Sequence, residues 1–453
     1  MRQISRRAIA TSVLSVMIFV GANSVIAAMF APLFISQSNR TQQASKNGTP
    51  KPQAAAADKG ANQPAKEKPS SAGVKTDYKI YPEPEPPKLP PAGETFADPV
   101  FGTTILRVTD ASDGDFNANN YSYWPSFNKD STLLFLITGG KPTLYSFDPV
   151  LFRTFDKRPL FVVKPVVGSA LTAEDAIWSG VEPEVIYGHD GMRLWSYHVS
   201  NKKYTLEKDF VRQLGSGNLH QMSRSIDDNV FAFTIKDKNY KIVGYAVWRR
   251  DTDAVTKFDA TADLDEVQID KSGRYLVVKT GKSGKGVVRV KIVDLQTNKV
   301  EDLIDGSPDY APGHSDNGTG MLIGGDNWQN RFNYRKLASP HQFHPVIEMG
   351  NDWTIGSHIS LLADDESWML MSTFKANDLP STGLFRDELL LIATDGSKRV
   401  RRLAHLHSAY REYWDTPRAN ISRDGKFAVF TSNWGSPGHR DVFVVRIPPE
   451  EKR

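Results

Sequence analysis

Tyr413–Ile447 reads YWDTPRANISRDGKFAVFTSNWGSPGHRDVFVVRI, and this stretch decides the fold. It contains a polar turn at Ser422–Gly425, an apolar run at Phe427–Phe430, a turn rich in Gly and Pro, and a second apolar run at Val442–Val445. Short apolar runs separated by turn residues indicate two strands joined by a loop. Because the same unit recurs along the chain, the repeat governs the fold.

Six further copies of this unit precede it, and they begin at Trp124, Glu184, Ile226, Ile269, Gly313 and Ala363. Their period of roughly 45 to 60 residues is close to the length of a four-stranded propeller blade. A blade packs both faces on its neighbours, which explains apolar runs where a half-exposed strand would alternate. The repeat therefore predicts an all-β, seven-bladed β-propeller over residues 97–450. The strand-like segment Thr103–Thr109 lies upstream of the first unit, and we expect it to close the ring by completing the seventh blade.

Two of the repeats carry a recognisable core pattern. Ala419–Phe430 reads ANISRDGKFAVF, and Pro125–Asp130 reads PSFNKD. Both resemble the PxxSxDGxxxxF core of the bacterial TolB-like and WD-repeat-like propellers, with Ala for Pro in one copy and Asn for Ser in the other. The resemblance covers about residues 100–447, and it implies architecture.

The N-terminus has the pattern of an export signal. Met1–Arg7 contains three arginines, and Ala8–Ile35 is uncharged and mostly apolar, long enough to span a bilayer as a helix. Residues 1–35 are either a signal peptide cut at a site such as Val25–Ala27 or an uncleaved anchor in the inner membrane. Ser5–Arg7 also resembles a twin-arginine signal. Each alternative predicts a periplasmic or extracellular propeller.

Residues 36–96 have the composition of a spacer. They are rich in Gln, Ala, Lys, Pro, Ser and Gly, with almost no large apolar residue before Tyr78. Such a segment buries too little surface to offset its ordering entropy, so it predicts a disordered linker, stiffened by polyproline geometry near Pro82–Pro91. A spacer favours the anchor over the cleaved signal.

Charge and cysteine content exclude several functions. Residues 1–75 contain ten Lys or Arg and two acidic residues, so this part has a net charge of +8. Because the whole chain has a net charge of +4, the remaining residues have a net charge of −4. The folded part is therefore mildly acidic, which argues against nucleic acid as a partner. The chain has no cysteine, which excludes disulfides, zinc thiolates and thiol nucleophiles.

Candidate functional residues lie just before the innermost strand of each repeat, because these positions gather at one mouth of a propeller channel. They are Tyr123, Trp124, Glu174, Asp175, Trp178, His220, Gln221, Asp265, Glu266, His314, His358, Tyr413 and Arg418. Any one of them has an ordinary structural use, since His, Asp and Glu often cap loops and satisfy turn amides. Their convergence nevertheless favours a binding site.

In its architecture and in the histidines expected at the channel mouth, the chain is similar to the oligogalacturonate lyases, which are seven-bladed propellers. The resemblance implies a metal-assisted eliminase, in which a divalent ion such as manganese or calcium neutralises the uronate carboxylate while a base removes the adjacent proton. It implies His220, His314 and His358 as base or metal ligands, Tyr413 as acid, and Arg418 as carboxylate clamp.

Two hypotheses follow from the sequence. In the first, the protein is a membrane-tethered binding module that recognises an acidic glycan or an envelope protein at the channel mouth, through Trp124, Trp178, Gln221, Glu266 and His314. In the second, it is a polysaccharide lyase that uses His220, His358, Tyr413 and Arg418 as catalytic groups.

Overall fold

The computed structural model describes residues 74–160, 176–260, 263–280, 289–305, 311–375, 383–436 and 438–450. The predicted signal segment, the first part of the predicted linker, and the candidates Glu174 and Asp175 lie outside these ranges. Within them, no helix has both the length and the apolar character needed to cross a membrane. The signal and anchor alternatives therefore stay predictions.

The described chain is built almost entirely of short strands. In the first half these are β1 (Thr95–Ala97), β2 (Thr104–Arg107), β3 (Leu133–Thr138), β4 (Lys141–Asp148), β5 (Arg153–Pro159), β6 (Ala176–Trp178), β7 (Val185–Asp190), β8 (Arg193–His198), β9 (Lys203–Asp209), β10 (Asn218–Arg224), β11 (Val230–Lys236), β12 (Ile242–Arg249) and β13 (Ala254–Asp259). In the second half they are β14 (Leu264–Ile269), β15 (Tyr275–Thr280), β16 (Arg289–Asp294), β17 (Lys299–Leu303), β18 (Ser315–Asn317), β19 (Met321–Asp326), β20 (Arg331–Lys336), β21 (Phe343–Glu348), β22 (Ile355–Ser360), β23 (Trp368–Lys375), β24 (Glu388–Ala393), β25 (Val400–His405), β26 (Asn420–Ile421), β27 (Phe427–Ser432) and β28 (Asp441–Arg446). Short helical turns occupy Ala111–Asp113, Val211–Leu214 and Tyr413–Asp415.

These strands form seven antiparallel sheets, which confirms the predicted seven-bladed propeller. Blade 1 is β3–β5, joined at its inner side by antiparallel bridges from Ala118 and Phe127. Blades 2 to 6 are the four-stranded sheets β6–β9, β10–β13, β14–β17, β18–β21 and β22–β25. Blade 7 has the order β1-β2-β28-β27-β26.

The core lies between the blades. Each of seven apolar clusters among the described residues joins two neighbouring blades, and the last of them joins blade 7 back to blade 1. Strands β3, β24 and β27 are consequently buried along their whole length. This two-sided burial is the physical reason for the continuous apolar runs, since each fully buried Leu or Phe contributes roughly 1.5–3 kcal/mol.

Closure of the ring follows the prediction made for Thr103–Thr109. Strand β2 pairs with β28, with Ile105 opposite Val445 and Arg107 opposite Phe443. The blade thus combines strands from both ends of the described chain, which fastens the first blade to the last.

The predicted disordered linker does not extend to residue 96. Residues 74–94 lie as a strap against blades 6 and 7: the Arg402 backbone N–H donates to the Lys75 carbonyl at 2.9 Å, and the Trp434 indole N–H donates to the Pro87 carbonyl at 2.8 Å. The buried Arg402 side chain also donates to the Lys79 carbonyl. Composition underestimated this segment because it needs no core of its own when the propeller supplies the donors.

Candidate functional site

The innermost strands bring distant parts of the chain together around the channel. Strands β10 and β14, β18 and β22, and β22 and β26 are in contact with each other across blade boundaries. These contacts bring residues on or just before the innermost strands of different blades close to each other. Side chains from five blades meet there and form what we call the mouth cluster: Tyr121, Tyr123, Asp265, Glu266, Lys279, His314, His358 and Arg418.

Glu266 is the centre of a charged network in the mouth cluster. The Tyr123 hydroxyl donates to one oxygen of its carboxylate, and Lys279 Nζ lies 2.7 Å from the other. Lys279 Nζ also donates to the Ser315 carbonyl at 3.2 Å and lies 4.9 Å from the centre of the Tyr123 ring. Charge-assisted hydrogen bonds of this kind hold both partners firmly, so Glu266 links blades 1, 4 and 5.

His314 and His358 stack on each other beside this network. Their ring centres are 4.7 Å apart with a 26° angle between the planes, and His358 packs on its other side against Phe374 at 5.3 Å. His314 Nδ1 donates to the Ser357 carbonyl at 2.7 Å, which fixes the proton on that nitrogen in the neutral ring. His314 is exposed at the channel, but the surrounding protein desolvates its ring and lowers its pKa, whereas burial together with His314 and Arg418 lowers the pKa of His358 well below its usual value. Both rings are therefore neutral at pH 7.

Arg418 approaches the histidine pair from blade 7. Its guanidinium carbon lies 4.6 Å from the Trp414 ring centre and 5.4 Å from the Tyr413 ring centre, and Nε donates to the Thr416 carbonyl at 3.2 Å. Only 2% of Arg418 is exposed, and its φ of 45° is unusual for a residue other than glycine. The short helical turn at Tyr413–Asp415 thus presents two aromatic rings that fix the guanidinium in place.

Asp265 differs from its neighbour Glu266 in having no fixed partner. The register of β14 on β15 shifts between Leu264 and Glu266, so Asp265 is the extra residue of a β-bulge. None of the described side chains or backbone groups makes a hydrogen bond or ion pair to its carboxyl group. Burial, with the Glu266 charge, raises the pKa of Asp265 to about 7.

His220 and Gln221 lie on β10 of blade 3, where a second bulge follows His220. Gln221 has a φ of 48°, and its side-chain oxygen accepts a hydrogen bond from Thr234 Oγ1 at 3.4 Å. Thr234 Oγ1 also donates to the His220 carbonyl at 2.9 Å. Blade 3 is two blades away from His314, so His220 approaches the mouth from a different direction than the stacked histidines.

The two candidate tryptophans are parts of the core. Trp124 is 4% exposed and donates from its indole N–H to the Met222 carbonyl at 2.7 Å, while Trp178 is 1% exposed and donates to the Ser126 carbonyl at 3.0 Å. Each side chain belongs to an apolar cluster between blades. These positions give both tryptophans a structural function.

A cavity of about 70 Å³ adjoins the mouth cluster, and Tyr123 and Trp124 form part of its lining. It is lined by side chains that include Gln268, Asp316 and Arg423. Burial raises the pKa of Asp316 to about 6, although its carboxylate accepts the Leu361 backbone N–H at 2.6 Å. The volume is sufficient for several water molecules.

The described residues do not fit a metal site at the mouth. No three His, Asp or Glu side chains in the described part of the chain are grouped so that they could hold an ion. No metal-dependent step is therefore derived for His220, His314 and His358.

Sequence reasoning missed two members of the mouth cluster, Tyr121 and Lys279. Tyr121 lies 5.1 Å from His358 and 4.6 Å from Tyr123, measured between ring centres. Lys279 follows the apolar run Tyr275–Val278 on the second strand of blade 4. The available signal for Lys279 was a lysine at the end of a buried strand. The prediction considered only residues near innermost strands, and Lys279 lies on the second strand of its blade.

Fold and site together define the class of this protein as a seven-bladed β-propeller with a polar and aromatic channel mouth. It is similar in structure to the oligogalacturonate lyase of Vibrio parahaemolyticus, with a TM-score of 0.57 and 12% identity over 78% of this chain and 96% of that chain. An oligogalacturonate lyase in complex with manganese gives a TM-score of 0.57 and 10% identity over 80% of this chain and 97% of that chain. TolB from Acinetobacter baumannii has a TM-score of 0.35 and 12% identity over 65% of each chain.

At these identities the likeness shows the fold alone, and the TolB score is too low to argue from. The resemblance to propellers of this general type is confirmed at that level. No protein-family model matches the chain, and no curated protein sequence matches it significantly.

Proposed function

We propose that this protein is an exported binding module that takes an acidic glycan at the channel mouth and is held at the inner membrane by its N-terminal segment. The observation that carries the proposal is the mouth cluster, in which blades 1, 4, 5, 6 and 7 each direct a polar or aromatic side chain to one place. A rigid ring gains no stability from assembling so many polar groups at its axis, and convergent polar groups among aromatic walls are typical of ligand sites.

The chemistry of the cluster favours an anionic ligand with ring-shaped units. Lys279 and Arg418 place two cationic side chains in the mouth; the charge of Lys279 is offset by Glu266, so Arg418 supplies the excess positive charge when Asp265 is protonated. Both histidines are neutral at pH 7 because desolvation by the surrounding protein lowers their pKa. Tyr121, Tyr123, Tyr413 and Trp414 are only partly buried and offer flat apolar faces. A uronate polymer carries both a carboxylate for the cations and flat faces for the aromatic rings.

Export and membrane attachment are supported by the sequence of residues 1–35, which combines basic residues with a long apolar stretch. The strap adds a structural argument. Because residues 74–94 pack against blades 6 and 7, Lys75 lies on blade 6 near the start of the described chain. A tether would therefore be attached on that side of the ring.

The second candidate is a lyase, and one observation favours it. His358 is neutral, and Arg418 is close enough to lower its pKa further, so a base and a carboxylate clamp are neighbours. Both residues, however, are only 2% exposed. A general base must come within hydrogen-bond reach of the proton it removes. Because the burial of His358 keeps the candidate base from a substrate proton, whereas binding does not require His358 to touch the ligand, binding is the better supported function.

Calorimetric titration of the full-length protein with polygalacturonate, alginate and the neutral polymer dextran tests the proposal. We expect the two polyuronates to bind and dextran to fail. Lys279→Gln is expected to weaken polyuronate binding about tenfold, whereas Lys299→Gln, which removes an exposed lysine from the same blade, leaves it unchanged.

The same samples are followed by ultraviolet absorbance. Growth of an absorbance from a new carbon–carbon double bond, abolished in His358→Ala, would replace the binding proposal by the lyase. If the folded protein binds none of the acidic polymers, the glycan proposal fails and a protein partner becomes the leading candidate ligand.

A further inference from the structure

Asp265 is the member of the mouth cluster that the proposed function leaves unexplained. A β-bulge inserts it between Leu264 and Glu266 on the innermost strand of blade 4. An inserted residue is released from the pairing of the ladder, and bulges commonly re-aim a side chain near a functional site. The bulge in β14 therefore presents a carboxyl group that no described residue binds.

Unlike Glu266, the Asp265 carboxyl group has no hydrogen-bond or ion-pair partner among the described residues. Glu266 is 7% exposed and is held by Tyr123 and Lys279. Asp265 is partly exposed and has Glu266 and Lys279 as its charged neighbours. A half-buried carboxylate beside another carboxylate is costly, because like charges repel in a poorly solvated place. A ligand that hydrogen-bonds the protonated form would remove that cost.

The titratable and charged groups around Asp265 come from four blades. Glu266 and Lys279 belong to its own blade, Tyr123 comes from blade 1, and His314 comes from blade 5. His220 lies on β10 of blade 3, which packs against β14. Among these, Glu266 and Lys279 form a pair whose charges offset each other. Desolvation by the surrounding protein lowers the pKa of His314.

We propose that Asp265 determines the affinity of the channel mouth for acidic ligands, donating a hydrogen bond to a ligand carboxylate when protonated and repelling it when ionised. This inference rests on the proposed function and adds its regulation by pH. No bond is made or broken in the process. Only the proton on the Asp265 carboxyl group is exchanged with solvent.

The direction of the pH dependence follows from the raised pKa. With a pKa of about 7, Asp265 is neutral in mildly acidic solution and ionised in mildly alkaline solution. The carboxylates of a polyuronate stay ionised throughout this range, since an unperturbed carboxyl group has a pKa of about 4. Affinity therefore falls as the pH rises through about 7.

The experiment is a calorimetric titration of the full-length protein with polygalacturonate at about pH 5.5 and about pH 8.5, at constant ionic strength. Wild type is expected to bind about tenfold more tightly at the lower pH, the size of one like-charge contact near a protein surface. Asp265→Asn, which keeps the shape and cannot ionise, is expected to bind equally at both. The matched control is Asp263→Asn, two residues away in the same chain segment and exposed, which is expected to keep the full pH dependence.

The outcomes separate this inference from the proposed function. Binding that does not change with pH, or a pH dependence that persists in Asp265→Asn, overturns the inference alone and directs attention to His220. Absence of polygalacturonate binding by wild type at both pH values overturns the inference and the proposed function together. Loss of the pH dependence in Asp265→Asn but not in Asp263→Asn supports it.

Discussion

Two aspartates illustrate the difference between the seam that closes the ring and the channel mouth. At the seam in blade 7, Asp441 is 2% exposed and accepts hydrogen bonds from Arg107 at 2.6 Å and from Thr109 at 3.0 Å. At the mouth, Asp265 has no described donor, and burial raises its pKa to about 7. The seam satisfies its charges within the protein, whereas the mouth leaves a charge to be satisfied from outside. Polar groups of the first kind stabilise the fold, and those of the second kind are available for a ligand.

The largest effect is expected from Asp441→Asn. The substitution leaves the Arg107 guanidinium nearly buried, at 14% side-chain exposure, without its carboxylate. Breaking a buried ion pair on one side typically costs about 3–5 kcal/mol, and the remaining amide oxygen retains one acceptor, so we expect a loss of about 3 kcal/mol in the free energy of unfolding.

Denaturant titration followed by tryptophan fluorescence measures this loss. Asp395→Asn is the control, because Asp395 pairs with Arg399 where both side chains are about half exposed, and such pairs contribute roughly 0–1 kcal/mol. Equal effects of the two substitutions would mean that the seam is not fastened by Asp441.

The same substitution at the mouth is expected to have the opposite sign. Because the folded-state pKa of Asp265 is raised to about 7 above the unfolded value of about 3.9, the folded state binds the proton more tightly, and stability falls as the pH rises between those values. Asp265→Asn removes this penalty. Full linkage over roughly three pKa units would be about 4 kcal/mol. Because the side chain is partly exposed and screened by solvent, we expect a gain of only about 1 kcal/mol in the free energy of unfolding at about pH 8, and no change at about pH 4.

Unfolding curves of Asp265→Asn and wild type at the two pH values provide the measurement, and Asp263→Asn is again the control. A loss of stability at alkaline pH would show that the Asp265 carboxylate is bound within the protein after all. The mouth would then resemble the seam, and the comparison between the two regions would not hold.

The fold was predictable because its signals are local or repeated. The run Phe427–Phe430 is apolar throughout because both faces of its blade are buried, and that pattern is visible without knowing the neighbours. Thr103–Thr109 was recognisable as a closing strand because it had no partner nearby in the sequence. The innermost strands likewise pointed to Glu266, His314, His358 and Arg418, which lie together; His314 and Arg418 precede their strands as predicted, whereas Glu266 and His358 lie within β14 and β22.

Other features depend on contacts that the local sequence does not encode. The strap was predicted to be disordered because its own composition is polar, but the groups that hold it, Arg402 and Trp434, come from blades 6 and 7 near the other end of the chain. The bulge at Asp265 depends on the register between β14 and β15. Lys279 reaches the site from the second strand of its blade, and the prediction considered only the innermost strands.

The smallest effect is expected where the strap meets blade 7. Trp434→Phe keeps an aromatic ring for stacking on Phe443, whose centre is 4.8 Å away, but removes the indole N–H that donates to the Pro87 carbonyl at 2.8 Å. The loss of one such hydrogen bond costs about 1 kcal/mol. Since the strap packs only at the margin of the core between blades 6 and 7, through Leu89, we expect this cost to appear as local opening of the strap, with little change in global unfolding.

Limited proteolysis monitors that opening, and cleavage within residues 76–92 is expected to become about fivefold faster in Trp434→Phe, in proportion to the population of the open strap. Trp195→Phe is the control, because Trp195 lies on β8 of blade 2, away from blades 6 and 7, and none of the described residues accepts a hydrogen bond from its indole N–H. If global unfolding and strap cleavage change together, the strap unfolds only with the propeller and belongs to the seam. If cleavage alone accelerates, the strap opens separately from the propeller. Its attachment to blades 6 and 7 then differs from the seam, which unfolds only with the ring.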